Sequence, residues 1–263
     1  MQTASRRRET RRNTGHNGTF FAVLLFLALL CVAVGAVLSV QKMQETEEPT
    51  SSFRVEEPSD MELPQFPLTA APSAEDPLLL LVNRDHPLPE GYTPELTKLQ
   101  DWDLSVATAM YDDLCRMLQA GRAEGLRFEI CSAYRSHETQ QALFDEDVAR
   151  YMAQGMTEAD AIAATAQYTM LPGCSEHETG LAVDIVSLEN QLLDESQAQT
   201  AETRWLQAHC WEYGFILRYP SDKSDLTGIA YESWHYRYVG IEAASYLHER
   251  GMTLEELWAQ QAE

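Results

Sequence analysis

Residues 175–184 read SEHETGLAVD and bring a histidine, a glycine and an aspartate into one short stretch. Gly180 lets the backbone turn after His177, and residues 181–187 form an apolar run that predicts a short strand. Asp184 lies inside this run, where an unpaired carboxylate would cost several kcal/mol to bury. The aspartate therefore needs a partner, which can be a metal ion, a basic side chain or the end of a helix.

Residues 231–238 read YESWHYRY and supply a second histidine on a predicted strand. A catalytic zinc ion takes three protein ligands of the His, Asp or Glu kind and keeps one position open for water. His177, Asp184 and His235 fit that set, and Glu232 lies three residues before His235, where it can serve as a base. Spacing alone leaves two interpretations open: a metal site, or a histidine that packs against its neighbours.

Helices and short strands alternate irregularly around these two stretches. Helical spacing of apolar residues predicts helices over residues 103–120, 136–153, 157–169, 203–213, 241–248 and 253–261. Alternating or short apolar runs predict strands over residues 126–133, 181–187, 215–219 and 234–239. Because no regular βαβ pattern appears, the predicted class is α+β, a single domain over residues 78–263 with a small antiparallel sheet packed by helices.

The N-terminal part of the chain differs in composition from this domain. Residues 20–40 carry no charge and are long enough to cross a bilayer as a helix. Residues 1–19 hold five arginines and one acid, so the positive-inside rule predicts a cytoplasmic arm and an exported remainder. A cleaved signal peptide is the alternative, since residues 34–36 loosely fit a small-residue cleavage site. We favour an uncleaved anchor, followed over residues 41–77 by a disordered acidic, Pro-rich stalk.

The exported part is strongly acidic. The chain has 19 Lys and Arg against 41 Asp and Glu, and removing the arm leaves a net charge of about −26. Nucleic acids and anionic lipid surfaces need basic patches, so neither is an expected partner of the domain. Four exported cysteines remain without a CxxC pair, which argues against a thiolate zinc site and leaves their disulfide pairing open.

The pattern Ser-x-His-x-x-Gly-x-Ala-x-Asp, followed by Glu-x-Trp-His, resembles the signature of the LAS metallopeptidases. Within that group the chain is similar to the D-alanyl-D-alanine carboxypeptidases of the VanY type. Three further stretches carry the resemblance: LVNRDHPLP at 81–89, SAYRS at 132–136 with Gln140, and GIAYE at 228–232. The resemblance covers about residues 78–251.

A zinc site is the first implication of this resemblance, with three ligands: His177, Asp184 and His235. Glu232 matches the general base that takes a proton from the attacking water and later hands it to the leaving amine. Glu176 and Glu178 flank the first histidine and could tune the metal, but we expect both to be solvated.

The resemblance also implies groups that hold the substrate. Arg135 matches the arginine that stabilises the oxyanion formed at the scissile carbonyl. Three positions match residues that bind the substrate's terminal residues: Ser175, Gln140 and Tyr134.

The implied activity is removal of the terminal D-Ala from peptidoglycan stem peptides by a Zn²⁺-dependent D,D-carboxypeptidase. An L,D-carboxypeptidase or a peptidoglycan endopeptidase would use the same site, and a non-catalytic wall-binding module is a further alternative. Retention of all three ligands and the base disfavours the last. We expect a monomer, held at the membrane by one N-terminal helix with its catalytic domain extracellular.

Overall fold

The computed structural model describes residues 71–73 and 75–261, which lie in one compact unit, Glu62–Glu263. The predicted arm, the predicted span and nearly all of the predicted stalk fall outside the described residues, so these assignments stay predictions. Within the described ranges, no helix has both the length and the apolar character needed to cross a membrane.

Two antiparallel sheets are present in the described part of the chain. Their strands are β1 (Leu96–Lys98), β2 (Ser105–Ala107), β3 (Phe128–Ser132), β4 (Ala182–Ser187), β5 (Phe215–Tyr219) and β6 (Glu232–Tyr238). β1 and β2 form a hairpin, and the other four strands form a sheet in the order β3-β4-β6-β5. The pairing of β4 with β6 places the two stretches that opened the sequence analysis side by side.

The helices are α1 (Tyr111–Ala123), α2 (His137–Ala153), α3 (Glu158–Thr165), α4 (Ala201–His209), the short α5 (Ser224–Thr227), α6 (Ile241–Arg250) and α7 (Leu254–Gln261). The predicted start of α2 is confirmed, since the Ser136 hydroxyl accepts a hydrogen bond from the Thr139 N–H at 3.2 Å. Thr157 caps α3 in the same way. The mixture of helices with small antiparallel sheets agrees with the predicted α+β class.

Two predicted helices are wrong in part. Residues 103–120 were expected to be helical throughout, but Ser105–Ala107 pair with Leu96–Lys98 as strand β2 and α1 begins only at Tyr111. The hairpin buries Ala107 in the core, and this strand residue lies at helical spacing from Met110 and Leu114, which made the predicted helix longer. The helix predicted over 157–169 ends at Thr165, because the chain then turns and the Thr169 hydroxyl donates to Asp147 at 2.6 Å.

One face of the central sheet carries apolar side chains that pack into the core, and the other face carries polar side chains. Val183 and Ile185 of β4, with Tyr236 and Tyr238 of β6, pack into the core formed with α1 and α4. Because neighbouring side chains in a strand point to opposite faces, the polar residues between them project the other way: Asp184, His235 and Arg237. That polar face carries the candidate site.

The described structure leaves the four cysteines of this part unpaired, as free thiols: Cys115, Cys131, Cys174 and Cys210. The fold in this region is therefore held by packing, hydrogen bonds and ion pairs.

Candidate active site

His177 lies on a short 3₁₀ turn, Glu176–Thr179, that follows Ser175. Gly180 ends the turn with a φ of 72°, in the left-handed region that favours glycine. The Gly180 carbonyl accepts a hydrogen bond from the Ala107 N–H at 2.8 Å, which ties the turn to strand β2. The His177 ring is fixed at its other edge, where Nδ1 lies 2.8 Å from the Ala133 carbonyl oxygen.

Asp184 and His235 are direct register partners on β4 and β6. His177 Nε2 lies 3.3 Å from Asp184 Oδ2, and His235 Nδ1 lies 3.2 Å from Asp184 Oδ1. One ligand atom from each of these three residues falls within 4.8 Å of the other two. The structure thus brings the three predicted metal ligands together, and all three are buried.

The donor set fits a zinc ion. Asp184 Oδ1 is buried and makes no hydrogen bond, although His235 Nδ1 is close to it. A buried carboxylate oxygen without a hydrogen bond is costly unless a cation faces it. Two imidazoles and one carboxylate are ligands that zinc prefers, and they leave a fourth position of a tetrahedron open.

The two histidines differ in their electrostatic surroundings. Burial, with Arg135 nearby, lowers the pKa of His177 to about 4, so its imidazole is neutral at pH 7 and can donate a lone pair. Burial also lowers the pKa of His235, but the neighbouring Asp184 and Glu176 carboxylates outweigh it and raise that pKa to about 9. The surroundings of His235 therefore favour a positive charge, which a proton or a metal cation can supply.

Glu232 begins strand β6 on the wall of a cavity of about 610 Å³. Its Oε2 lies 3.7 Å from His235 Nδ1. Burial raises the pKa of the Glu232 carboxyl to about 8, and a nearby metal cation would lower that pKa and keep the carboxylate ionised. The geometry allows Glu232 to exchange protons with a molecule in the cavity.

Arg135 lines the same cavity and is held by three acceptors. Its Nε donates to Ser132 Oγ at 2.9 Å, Nη1 to Gln140 Oε1 at 2.9 Å and Nη2 to Asp184 Oδ2 at 3.4 Å. A guanidinium has five N–H donors in a rigid plane, so about two remain for a ligand. The side chain is thereby aimed at the space beside the metal ligands.

The predicted substrate-binding residues are placed in different ways. Ser175 lines the cavity, whereas Gln140 and Tyr134 are not part of its wall. Gln140 is fully buried, and its amide is used internally, with Oε1 accepting from Arg135 and Nε2 donating to the Met170 carbonyl at 2.7 Å. In this structure the amide orients Arg135, and a direct contact of Gln140 with substrate stays a prediction.

Glu176 and Glu178 are buried, which corrects the expectation that they are solvated. Glu176 accepts hydrogen bonds from Arg218 and Arg237. Although burial raises the pKa of Glu176, these two guanidiniums outweigh it and hold that pKa well below its usual range. The sequence did contain a signal for a buried acid. Arg218 and Arg237 each lie inside a predicted strand, and a buried arginine requires an acidic partner.

Comparison with known proteins places this site in a family. Residues 103–241 match the model of the VanY family, described as D-alanyl-D-alanine carboxypeptidase. A D-alanyl-D-alanine carboxypeptidase of Enterococcus faecalis is 42% identical over 182 residues, which are 68% of this chain and 64% of that protein. The chain therefore spans slightly less than two thirds of that relative.

Two solved structures extend the comparison. One is the vancomycin-resistance D,D-pentapeptidase VanY in complex with Zn(II), with 42% identity and a TM-score of 0.61 over 68% of this chain and 98% of that one. The other is the LD-carboxypeptidase LdcB, with 34% identity and a TM-score of 0.61 over 69% of this chain and 86% of that one. The matched family model spans more than half of the chain and includes every predicted site residue. The chain therefore belongs to the VanY family of D-alanyl-D-alanine carboxypeptidases.

Proposed function

We propose that the chain is a zinc-dependent D,D-carboxypeptidase that removes the terminal D-Ala from peptidoglycan stem peptides. One observation carries the proposal: three buried metal-ligand side chains converge on a cavity whose wall also holds Glu232 and Arg135. The relatives named D-alanyl-D-alanine carboxypeptidase and D,D-pentapeptidase support the same substrate class.

Zinc, when bound by His177, Asp184 and His235, supplies a Lewis acid that polarises the scissile carbonyl and acidifies water. The Glu232 carboxylate takes a proton from the attacking water. It then delivers that proton to the nitrogen of the departing D-Ala, so one carboxyl serves as base and acid in turn. The burial of Glu232 keeps bulk water away from this proton transfer.

Arg135 complements the charge that develops during attack. Arg135 lines the cavity beside Asp184, where its remaining N–H groups can hold the oxyanion of the tetrahedral intermediate. Ser132 and Gln140 hold the guanidinium before substrate arrives, so little reorganisation is needed during the reaction.

An L,D-carboxypeptidase is the second candidate function. The similarity to LdcB supports it, and so does the presence of Asp147, Asp194 and Glu195 on the cavity wall. These acids would suit the side-chain amine of a diamino acid. A terminal D-Ala is the leaving group in both reactions, and the two substrates differ in the residue before the cleaved bond.

Defined muropeptides separate the two activities. The protein is incubated with pentapeptide and tetrapeptide stems in parallel, and the products are followed by mass spectrometry. A D,D-carboxypeptidase shortens the pentapeptide by one alanine and stops. Loss of D-Ala from the tetrapeptide alone would assign the L,D activity, and cleavage inside the stem would assign an endopeptidase.

The location of the enzyme follows from its proposed substrate. Peptidoglycan stems lie outside the cytoplasmic membrane, and the charge pattern of residues 1–40 predicts that the domain lies on that side, with an uncleaved anchor favoured over a cleaved signal peptide. We propose a monomer tethered by this single span, with the acidic domain free of the anionic lipid surface.

A further inference from the structure

A buried ion network lies directly behind His235. The Glu176 carboxylate accepts hydrogen bonds from Arg218 Nε at 2.7 Å and from Arg237 Nη1 at 2.9 Å, both through Oε1. Its other oxygen, Oε2, lies 3.4 Å from His235 Nε2. Each of these four side chains is at least 95% buried, so their contacts are shielded from water and salt.

The network is anchored at both ends of the described chain. Both Nη atoms of Arg218 donate to the Glu255 carboxylate on α7, at 2.9 and 2.6 Å. Arg237 Nη2 donates to the carbonyls of Leu78 and Leu80. Two carboxylates and two guanidiniums balance one another, so Glu176 can face His235 without adding net charge beside the metal ligands.

The contact with Glu176 bears on which nitrogen of His235 carries the proton and which keeps its lone pair. A neutral imidazole carries one N–H and one lone pair. When Glu176 accepts the proton on Nε2, the lone pair is on Nδ1, the atom that faces Asp184. Glu176 also directly precedes His177, whose Nδ1 is held by the Ala133 carbonyl. One residue thus adjoins both histidine ligands.

We propose that Glu176 is a positioning residue for the metal site: its carboxylate holds His235 with Nδ1 towards the metal, and Arg218 and Arg237 hold the carboxylate. This inference rests on the proposed function, because it assumes that the three predicted ligands bind zinc. The competing explanation is that Glu176 only neutralises two buried arginines and contributes to stability alone.

Zinc affinity distinguishes the two explanations. Glu176→Gln is compared in the full-length chain with Glu255→Gln, which removes the same charge from the same network one step further from His235. Glu178→Gln is a second control: this buried acid contacts His137 and accepts from the N–H groups of Gly173 and Ser175, which tie down the same turn, but its side chain contacts neither histidine ligand. The zinc dissociation constant is measured by competition with a chromogenic chelator.

Loss of an outer partner of a metal-bound histidine weakens metal binding by about 10- to 100-fold. We expect that loss for Glu176→Gln and a change of less than about 3-fold for both controls. The visible spectrum of the cobalt-substituted protein should shift in Glu176→Gln alone, because it reports the geometry of the ligands. Equal weakening by Glu176→Gln and Glu255→Gln, or unchanged affinity in Glu176→Gln, would overturn the proposal.

A charge-balanced variant covers the case in which Glu176→Gln does not fold. The double variant Glu176→Gln with Arg218→Gln removes one negative and one positive charge together. The expected result is again weaker zinc binding, and wild-type affinity would show that Glu176 acts only through charge balance. If the wild-type chain itself binds no zinc, the proposed function fails, which is a different outcome from either of these.

Discussion

Glu232 shares the cavity wall with His235 but differs from it in its proposed role. Its carboxylate acts on the attacking water and is not one of the three metal ligands. Glu232→Gln should therefore retain zinc and fold while turnover falls by about 10²- to 10⁴-fold, since amide oxygens are poor proton acceptors. Zinc content and the rate of D-Ala release, measured on one preparation, test this. Loss of zinc from the variant would show that Glu232 is a ligand.

The Arg135 guanidinium is planar and carries several N–H donors in fixed directions, a geometry that a lysine ammonium cannot reproduce. Three of its N–H groups already bind Ser132, Gln140 and Asp184, and a lysine ammonium cannot keep these contacts and also reach an oxyanion. We expect both Arg135→Lys and Arg135→Ala to lose about 10²- to 10³-fold in kcat. Arg150→Lys is the matched control, because Arg150 lines the same cavity without contacting the metal ligands. If the Arg135→Lys variant turned over near the wild-type rate, Arg135 would contribute only its positive charge and not its donor geometry.

At the scale of elements, the turn that carries His177 depends on one glycine. A Cβ on Gly180 would lie 3.0 Å from the Ala107 backbone nitrogen, and the φ of 72° is strained for any other residue. Gly180→Ala should lower the free energy of unfolding by more than the roughly 1–3 kcal/mol of backbone strain. Gly251 has a φ of 60° with open space around it. Gly251→Ala should therefore lower the free energy of unfolding by the backbone strain alone.

Urea unfolding of the two glycine variants, together with their zinc affinity, provides the test. The turn leads directly into β4, so only Gly180→Ala should also weaken zinc binding. Equal destabilisation by both variants would mean that the hairpin β1–β2 moves aside without effect on the site.

Elements with strong local patterns were predictable from the sequence. Strand β5 was predicted with its observed bounds, and the caps at Ser136 and Thr157 mark where two helices begin. The hairpin β1–β2 was missed because its strands have three residues each, too few for a periodic pattern. Its pairing, which joins Leu96 to Ala107, depends on packing against the rest of the domain.

The candidate site was predictable to the extent that its chemistry is local. His177 and Asp184 share one motif, so their proximity follows from a turn and a strand. The roles of Gln140 and Glu176 could not be read from one motif, because Gln140 also donates to the Met170 carbonyl and Glu176 accepts from arginines on two other strands. Glu176 meets Arg218 and Arg237 only after β5 and β6 pair in one register, and that register is a property of the folded sheet.

At the scale of the whole molecule, charge is distributed very unevenly along the chain. Five of the 19 basic residues lie in the first 19 positions, next to an uncharged run of 21 residues. The remainder is strongly acidic, so the two ends of the run differ sharply in Lys and Arg content. Positive charge near a span stays on the cytoplasmic side, which predicts that the domain with the zinc site lies outside.

Protease treatment of intact protoplasts tests this topology. Protease added from outside should remove the domain that starts near residue 78 and leave a short membrane-bound fragment containing the arm. A variant with Arg6, Arg7, Arg8, Arg11 and Arg12 changed to glutamate is the control, because it removes the bias that sets orientation, and its domain should become partly protected. A domain released into the medium without protease would support a cleaved signal peptide. Full protection of the wild-type domain would contradict the extracellular location, and with it the access of the proposed active site to peptidoglycan.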